Sequence, residues 1–255
     1  MITLVLLACL LASSKGEPFI AGGRVEPREA MEQLPWLVSI ENPACKTPSG
    51  HICGGSLVSR WHIATAAHCS GYGQTAVFFK DKTYGREHHQ VRIKIAGYSI
   101  PPLPWCEHDF ALARLAKPAP HDIKPVRMVR KKLKPGTMVT AVGWGLTGYD
   151  YKTKQGIEAT SLNKVNLTVS HYKAPYIFTK LRYGATKMLR DACSGDSGGP
   201  LLFRRRQWEA ARLAGTVVGG GYDCTTGETN GKVGLWSSVT DFYHWIRKEI
   251  YRRGK

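Results

Sequence analysis

A chain of 255 residues with 43% hydrophobic content can bury one large core or two modest ones. Lys and Arg number 36 against 19 acids, a net charge of +17 that favours polyanionic partners, such as heparin-like glycosaminoglycans or anionic cell surfaces. No recognition motif for specific nucleic-acid binding accompanies that charge, and the sequence contains no internal repeat, low-complexity tract or metal-spaced Cys/His cluster.

Taken in chain order, Met1 to Ala12 is an apolar run too short to span a bilayer. It reads as the core of a secretory signal at 1–16, cleaved after Ser14 or Gly16, although no Lys or Arg precedes it. A buried first strand is the alternative. Nothing later in the chain reaches spanning length, so the protein is expected to be secreted or stored in granules. Glu17-Pro18-Phe19 and then Ile20-Ala21-Gly22-Gly23 follow.

Short strands are predicted over Trp36–Ile40, Gly54–Val58, Trp61–Thr65, Thr75–Phe79, Gln90–Ala96 and Phe110–Leu115, where β-branched and aromatic residues stand between turn signals. A Pro- and Lys-rich stretch, Lys117 to Gly136, reads as a linker between two halves. Strands resume at Met138–Gly145, Leu162–Val169, Pro200–Phe203, Gln207–Val218 and Gly234–Val239, a spacing that suggests a barrel or sandwich. Thr240 is placed to cap one helix, Asp241–Tyr251, whose apolar face carries Phe242, Trp245, Ile246 and Ile250. That face packs on the second half or, less simply, lies on a membrane surface.

Three segments carry chemistry. In Asp191-Ala192-Cys193-Ser194-Gly195-Asp196-Ser197-Gly198-Gly199-Pro200, glycines let the backbone fold tightly around Ser197. A serine nucleophile needs a base beside it and donors for a developing oxyanion. Taken alone the cluster is also readable as an ordinary turn. Thr65-Ala66-Ala67-His68-Cys69 supplies a histidine, and Glu107-His108-Asp109-Phe110-Ala111-Leu112 supplies an aspartate leading an apolar strand. Singly, His68 is a core or surface histidine and Asp109 a strand-entry residue. In the order His, Asp, Ser they match the triad template.

On these residues the chain from Ile20 onward resembles the trypsin-like, chymotrypsin-fold serine proteases. The resemblance implies an all-β fold of two six-stranded antiparallel β-barrels packed about a cleft, at about 20–125 and 135–240, with a C-terminal α-helix at about 241–251. It implies a Ser197–His68–Asp109 triad, an oxyanion hole from the N–H groups of Gly195 and Ser197, and no cofactor. Asp191 is implied at the base of a substrate pocket for Arg or Lys, with Gly220 and Gly234 as its walls; a turn cap is the plainer reading of Asp191. Segment 17–19 becomes an activation peptide, after whose removal the Ile20 amine pairs with Asp196. Phe19 departs from the usual Arg or Lys, so a chymotrypsin-like or other processing enzyme is required.

Seven cysteines are present, Cys9 in the signal and six beyond it, an even set suited to an oxidising compartment. The resemblance implies Cys53–Cys69 and Cys193–Cys224. Cys45 and Cys106 are left over, and parity favours a bond between them over an intermolecular bridge. Val139 and Phe203 stand where the family has another bridge, and an apolar contact is expected in its place. Val218 and Gly219 replace the usual Ser and Trp, which predicts a wider site and lower turnover. The basic clusters Arg127–Lys134, Arg204-Arg205-Arg206 and Arg247–Lys255 are solvated faces or polyanion contacts. Asn166-Leu167-Thr168 is a glycosylation sequon. Serpin or Kunitz-type inhibitors are further expected partners. Opposed to the protease is a catalytically weak, cationic protein that binds glycosaminoglycans or anionic membranes.

Overall fold

The computed structural model describes residues 32–45, 50–80, 89–104, 107–150, 152–153, 155–157, 159–180, 182–183, 189–206, 209–219 and 233–252. The expected signal and activation peptides, Ile20, Cys106, Gly220 and Cys224 lie outside them.

Six strands close the first barrel: β1 (Leu37–Glu41), β2 (His51–Ser59), β3 (His62–Thr65), β4 (Thr75–Phe78), β5 (Val91–Ser99) and β6 (Ala111–Leu115). Their order around the barrel is β1-β2-β3-β6-β5-β4, every pair antiparallel. Val38, Ile40, Leu57, Ile63, Phe78 and Leu112 are fully buried, which is why these branched and aromatic residues favour strands here. Bulges in β1, β2 and β5 bend the sheet toward closure.

The second half contains β7 (Arg127–Met128), β8 (Met138–Gly143), β9 (Gly148–Asp150), β10 (Gln155–Ile157), β11 (Asn163–Lys173), β12 (Tyr176–Lys180), β13 (Arg182–Tyr183), β14 (Leu189–Arg190), β15 (Pro200–Phe203), β16 (Arg212–Gly219) and β17 (Val233–Ser238). Strands β15-β8-β11-β12-β17-β16 form a ring closed by β15–β16 pairing, a second six-stranded barrel. β7 adds to β16 in parallel, and β9/β10 and β13/β14 form separate two-stranded pairs. A single buried apolar cluster runs through both barrels. It includes Val139, and Phe203 is partly buried against the same cluster.

The stretch 117–136 runs between the two barrels and is itself packed: Ala119, Ile123, Val126 and Val129 are buried and β7 is hydrogen-bonded into the second barrel. Two sequence expectations, both about the helix, need correction. The helix α1 spans Tyr243–Arg252, starting later than expected, because the Thr240 hydroxyl pairs with Ser238 at 2.7 Å in a preceding turn. Aromatic contacts at its start go to Phe110 at the head of β6 in the first barrel: Phe242, just before the helix, stacks on that ring with centroids 4.8 Å apart, and Trp245 meets it edge-on. Ile246 is fully buried, so the apolar face of α1 is spent on packing. Among the described residues no helix is long and apolar enough to cross a membrane.

Candidate active site

His68 lies on the 3-10 turn Ala67–Gly71 that follows β3. The turn is stapled to β2 by the Cys53–Cys69 disulfide, as expected. Asp109 stands just before β6 and receives His68 twice: the backbone N–H donates to Oδ1 at 2.9 Å and the ring Nδ1 to Oδ2 at 2.6 Å. A carboxylate only accepts, so Nδ1 carries the proton and the neutral ring presents Nε2 as an acceptor. The ring is about half exposed, with 45% of its side-chain surface accessible.

The sequence reading missed what holds Asp109. The Ser237 hydroxyl donates to the Asp109 carbonyl at 2.7 Å, and Phe110 is gripped by Phe242 and Trp245. Val218 stands where the family's supporting serine would be and has no hydroxyl to offer. The only advance signals were a polar residue late in β17 and aromatics spaced along α1.

The serine loop is clamped between the barrels. Gly54 N–H of β2 donates to the Ser197 carbonyl at 2.7 Å, while Gly198 N–H donates to Val217 of β16 at 2.8 Å. Gly198 has φ +73°, and a Cβ there would lie 2.1 Å from the Thr65 hydroxyl, so only glycine fits. Gly195, at φ +94°, makes the preceding turn. The N–H groups of Gly195 and Ser197 have no hydrogen-bond partner among the described residues and are available to a developing oxyanion. The Cys69 sulfur lies 3.8 Å from the Ser197 carbonyl, which sets the serine loop beside the histidine turn. No hydrogen bond joins Ser197 to His68 among the described residues; such contacts often tighten only when substrate binds.

Asp196 is 1% exposed and accepts from Gly145 N–H at Oδ1 and Cys193 N–H at Oδ2, each at 2.9 Å. Burial pushes its carboxyl up to about 7, opposed by those two bonds and assisted by the charge of Asp191. A Cβ at Gly145 would fall 2.3 Å from Asp196 Oδ2, so the glycine makes room for the carboxyl.

A second unforeseen group supports the same loop. His51 Nε2 donates to the Gly195 carbonyl at 2.8 Å, and the Ser39 hydroxyl donates to His51 Nδ1 at 2.7 Å. Burial and the nearby Lys80 charge push His51 down to about 4, so it is neutral at physiological pH. Buried Lys80 in turn bonds Glu41 at 2.6 Å, and Arg92 bonds the other Glu41 oxygen at 2.5 Å. Burial alone pushes Glu41 up, but the two cations hold it below its ordinary value.

Asp191 is buried, 3% exposed, at the end of β14. A Cβ on Gly234 would lie 2.6 Å from Asp191 Oδ1 and from the Thr179 hydroxyl, which itself accepts from Trp236 at 2.9 Å. Gly234 therefore faces Asp191 directly. A Cβ on Gly219 meets nothing within 4 Å among the described residues.

Cys193 is disulfide-bonded, and its expected partner Cys224 lies outside the described residues. Cys45 is a free thiol, half-buried, so the bond to Cys106 suggested by parity is not formed. Ligand atoms of Cys53, His68 and Cys69 lie within 4.8 Å of one another, but both sulfurs are consumed by the disulfide and supply no thiolate for a metal. Asn166 is exposed on β11 and accepts from the Thr140 hydroxyl at 2.8 Å.

Comparison with known proteins matches the Trypsin family model to residues 20–246. Trypsin theta of Drosophila erecta is 28% identical, with 95% of each chain covered. Duodenase-1 of Bos taurus is 26% identical over 99% of this chain and 97% of its own. Snake venom serine protease 5 of Trimeresurus stejnegeri is 26% identical over 96% of this chain and 93% of its own. The double barrel and the family match across most of its length show that this chain belongs to the trypsin family of serine endopeptidases.

Proposed function

We propose that this endopeptidase is secreted, is activated by release of the Ile20 N-terminus, and cleaves after Arg or Lys. Ser197 Oγ attacks the scissile carbonyl while His68 Nε2 takes its proton and then delivers it to the leaving amine. Asp109 fixes the reactive tautomer and stabilises the imidazolium. The Gly195 and Ser197 N–H groups receive the oxyanion, a contribution of roughly 2.7–4 kcal/mol per donor in comparable sites. The Ile20 ammonium, once freed, pairs with Asp196 and compensates its buried charge. Asn166 carries an N-linked glycan, and serpin or Kunitz-type proteins inhibit the enzyme.

The observation that carries the specificity is the buried Asp191 carboxylate beneath Gly234, with no Cβ between them. A cationic side chain gains a charge-assisted bond there that a neutral one cannot make. Digestion of a randomised peptide library by protein beginning at Ile20 tests this. Cleavage after Arg and Lys is expected, and its loss in Asp191→Ser; a profile of aromatic or small residues overturns the assignment.

Gly219, with open space among the described residues where a Cβ would stand, favours a second reading: a weakly active protein that acts through its cationic surface. A correctly processed protein that cleaves no member of the library supports that reading instead.

A further inference from the structure

The positive charge is not spread evenly over the described surface. A cavity of about 530 Å³ on the second barrel is lined by Arg130, Lys131, Lys132, Lys134, Arg205 and Arg212, with no Asp or Glu among its described lining residues. The neighbouring cavity of about 970 Å³ shares Arg205 and Arg212 but mixes them with Glu32, Asp122 and Glu209, which neutralise much of its field. Within the all-basic cavity, Lys132 is partly engaged by Asp241 at 3.6 Å and by the Tyr172 ring, and Arg130 lies over Tyr243. Lys131, Lys134, Arg205 and Arg212 are exposed and have no ion-pair partner among the described residues. Like charges brought together without counterions raise the self-energy of the fold, and an anionic ligand relieves it.

We propose that this cavity is a binding site for a sulfated polysaccharide. A linear polyanion suits the geometry because the cations continue past the cavity. The stretch 130–132 touches Asp241 and Tyr243 at the start of α1, whose outer face adds exposed Arg247, Lys248 and Arg252. A membrane surface suits it less. The site is concave, and of the large apolar side chains exposed among the described residues only Met138 adjoins a lining residue, Thr137, along the chain. Interfacial binding calls for a broader apolar face.

Topology sets the site apart from the chemistry. Ser197 precedes β15 and β16 ends at Gly219, whereas the cavity takes Phe203 and Arg212 from the opposite ends of β15 and β16. Eight residues of β16 at about 3.3 Å each place it on the order of 20 Å from Gly219. The ligand therefore leaves the cleft open and anchors the protease while it works.

The test is a titration of the parent protein with a heparin dodecasaccharide across a series of NaCl concentrations. One triple variant removes three cavity charges (Lys131→Ser, Lys134→Ser, Arg205→Ser). A second removes three exposed charges elsewhere (Lys94→Ser, Lys117→Ser, Lys180→Ser), and thermal unfolding verifies that both fold. The cavity triple should weaken binding by about tenfold or more and flatten the dependence of log K on log salt, while the control loses less than about threefold. Equal losses in the two triples, no binding by the parent, or tighter binding to phosphatidylserine vesicles than to the dodecasaccharide overturns the proposal. The readout needs no peptidase activity, so it stands or falls apart from cleavage after Arg or Lys.

Discussion

In the chain that retains the residues before Ile20, the Asp196 carboxyl should make folding less favourable as pH rises. Its value moves from an ordinary 3.8 to about 7 on folding. The folded state thus holds a proton that the unfolded state has released. The contribution to stability is complete below about 3.8, declines through the interval to about 7, and is flat above it. At 1.36 kcal/mol per pH unit the whole decline is roughly 4 kcal/mol. His51 opposes it: its fall from 6.5 to about 4 makes the unfolded state the proton binder and stability rise with pH over that range. The parent curve alone therefore hides both effects. Urea unfolding of the parent and of Asp196→Asn, from pH 4 to pH 8, separates them. The variant should differ from the parent by a constant, from the lost bond to Gly145 or Cys193, plus the Asp196 titration. Parent minus variant should fall by roughly 4 kcal/mol as pH rises and level off above about 7. A flat or rising difference would refute the account of Asp196 as a buried, uncompensated acid. In protein beginning at Ile20 the decline should vanish, because an ammonium partner favours the ionised carboxylate.

Protein beginning at Ile20 should hydrolyse amide substrates, whereas protein retaining Glu17-Pro18-Phe19 should be nearly inert; equal rates, with the N-termini sequenced, contradict the activation scheme. Gly234→Ala should destabilise by about 1–3 kcal/mol and cut kcat/KM for Arg and Lys substrates at least ~10-fold, because its Cβ invades the Asp191 and Thr179 oxygens. Gly97→Ala, where a Cβ meets nothing within 4 Å, is the control expected to change little in either measurement. Gly219→Trp should fold with an unchanged melting temperature and sharpen selection at substrate positions next to the cleavage site, read from the same peptide library; a collapsed fold means that the space is not open.

The barrels were legible wherever a strand announced itself by branched and aromatic residues between turns. β12, Tyr176–Lys180, was passed over because its short run follows a Pro turn, and its place between β11 and β17 depends on a partner, β17, that is distant in sequence. The triad was legible as an expectation because three motifs stood in order along the chain, and the structure joins two of its members, His68 and Asp109. Its supports were not legible. Ser237, His51, Ser39 and Lys80 are polar residues in otherwise ordinary segments, and only folding brings them under Asp109 or the Gly195 carbonyl. The cleft-spanning bond from Gly54 to Ser197 was invisible for the same reason: it joins groups from different barrels. The free state of Cys45 escaped a count of cysteines, since parity carries no information about distance.

Covalent labelling by a fluorophosphonate probe tests the central claim most directly, since it requires the Ser197 nucleophile, the His68 base and the oxyanion donors together. The account predicts that protein beginning at Ile20 takes up one probe per chain, mapped by mass spectrometry to Ser197, and that Ser197→Ala takes up none. Labelling at any other residue, or equal labelling of Ser197→Ala, would contradict it.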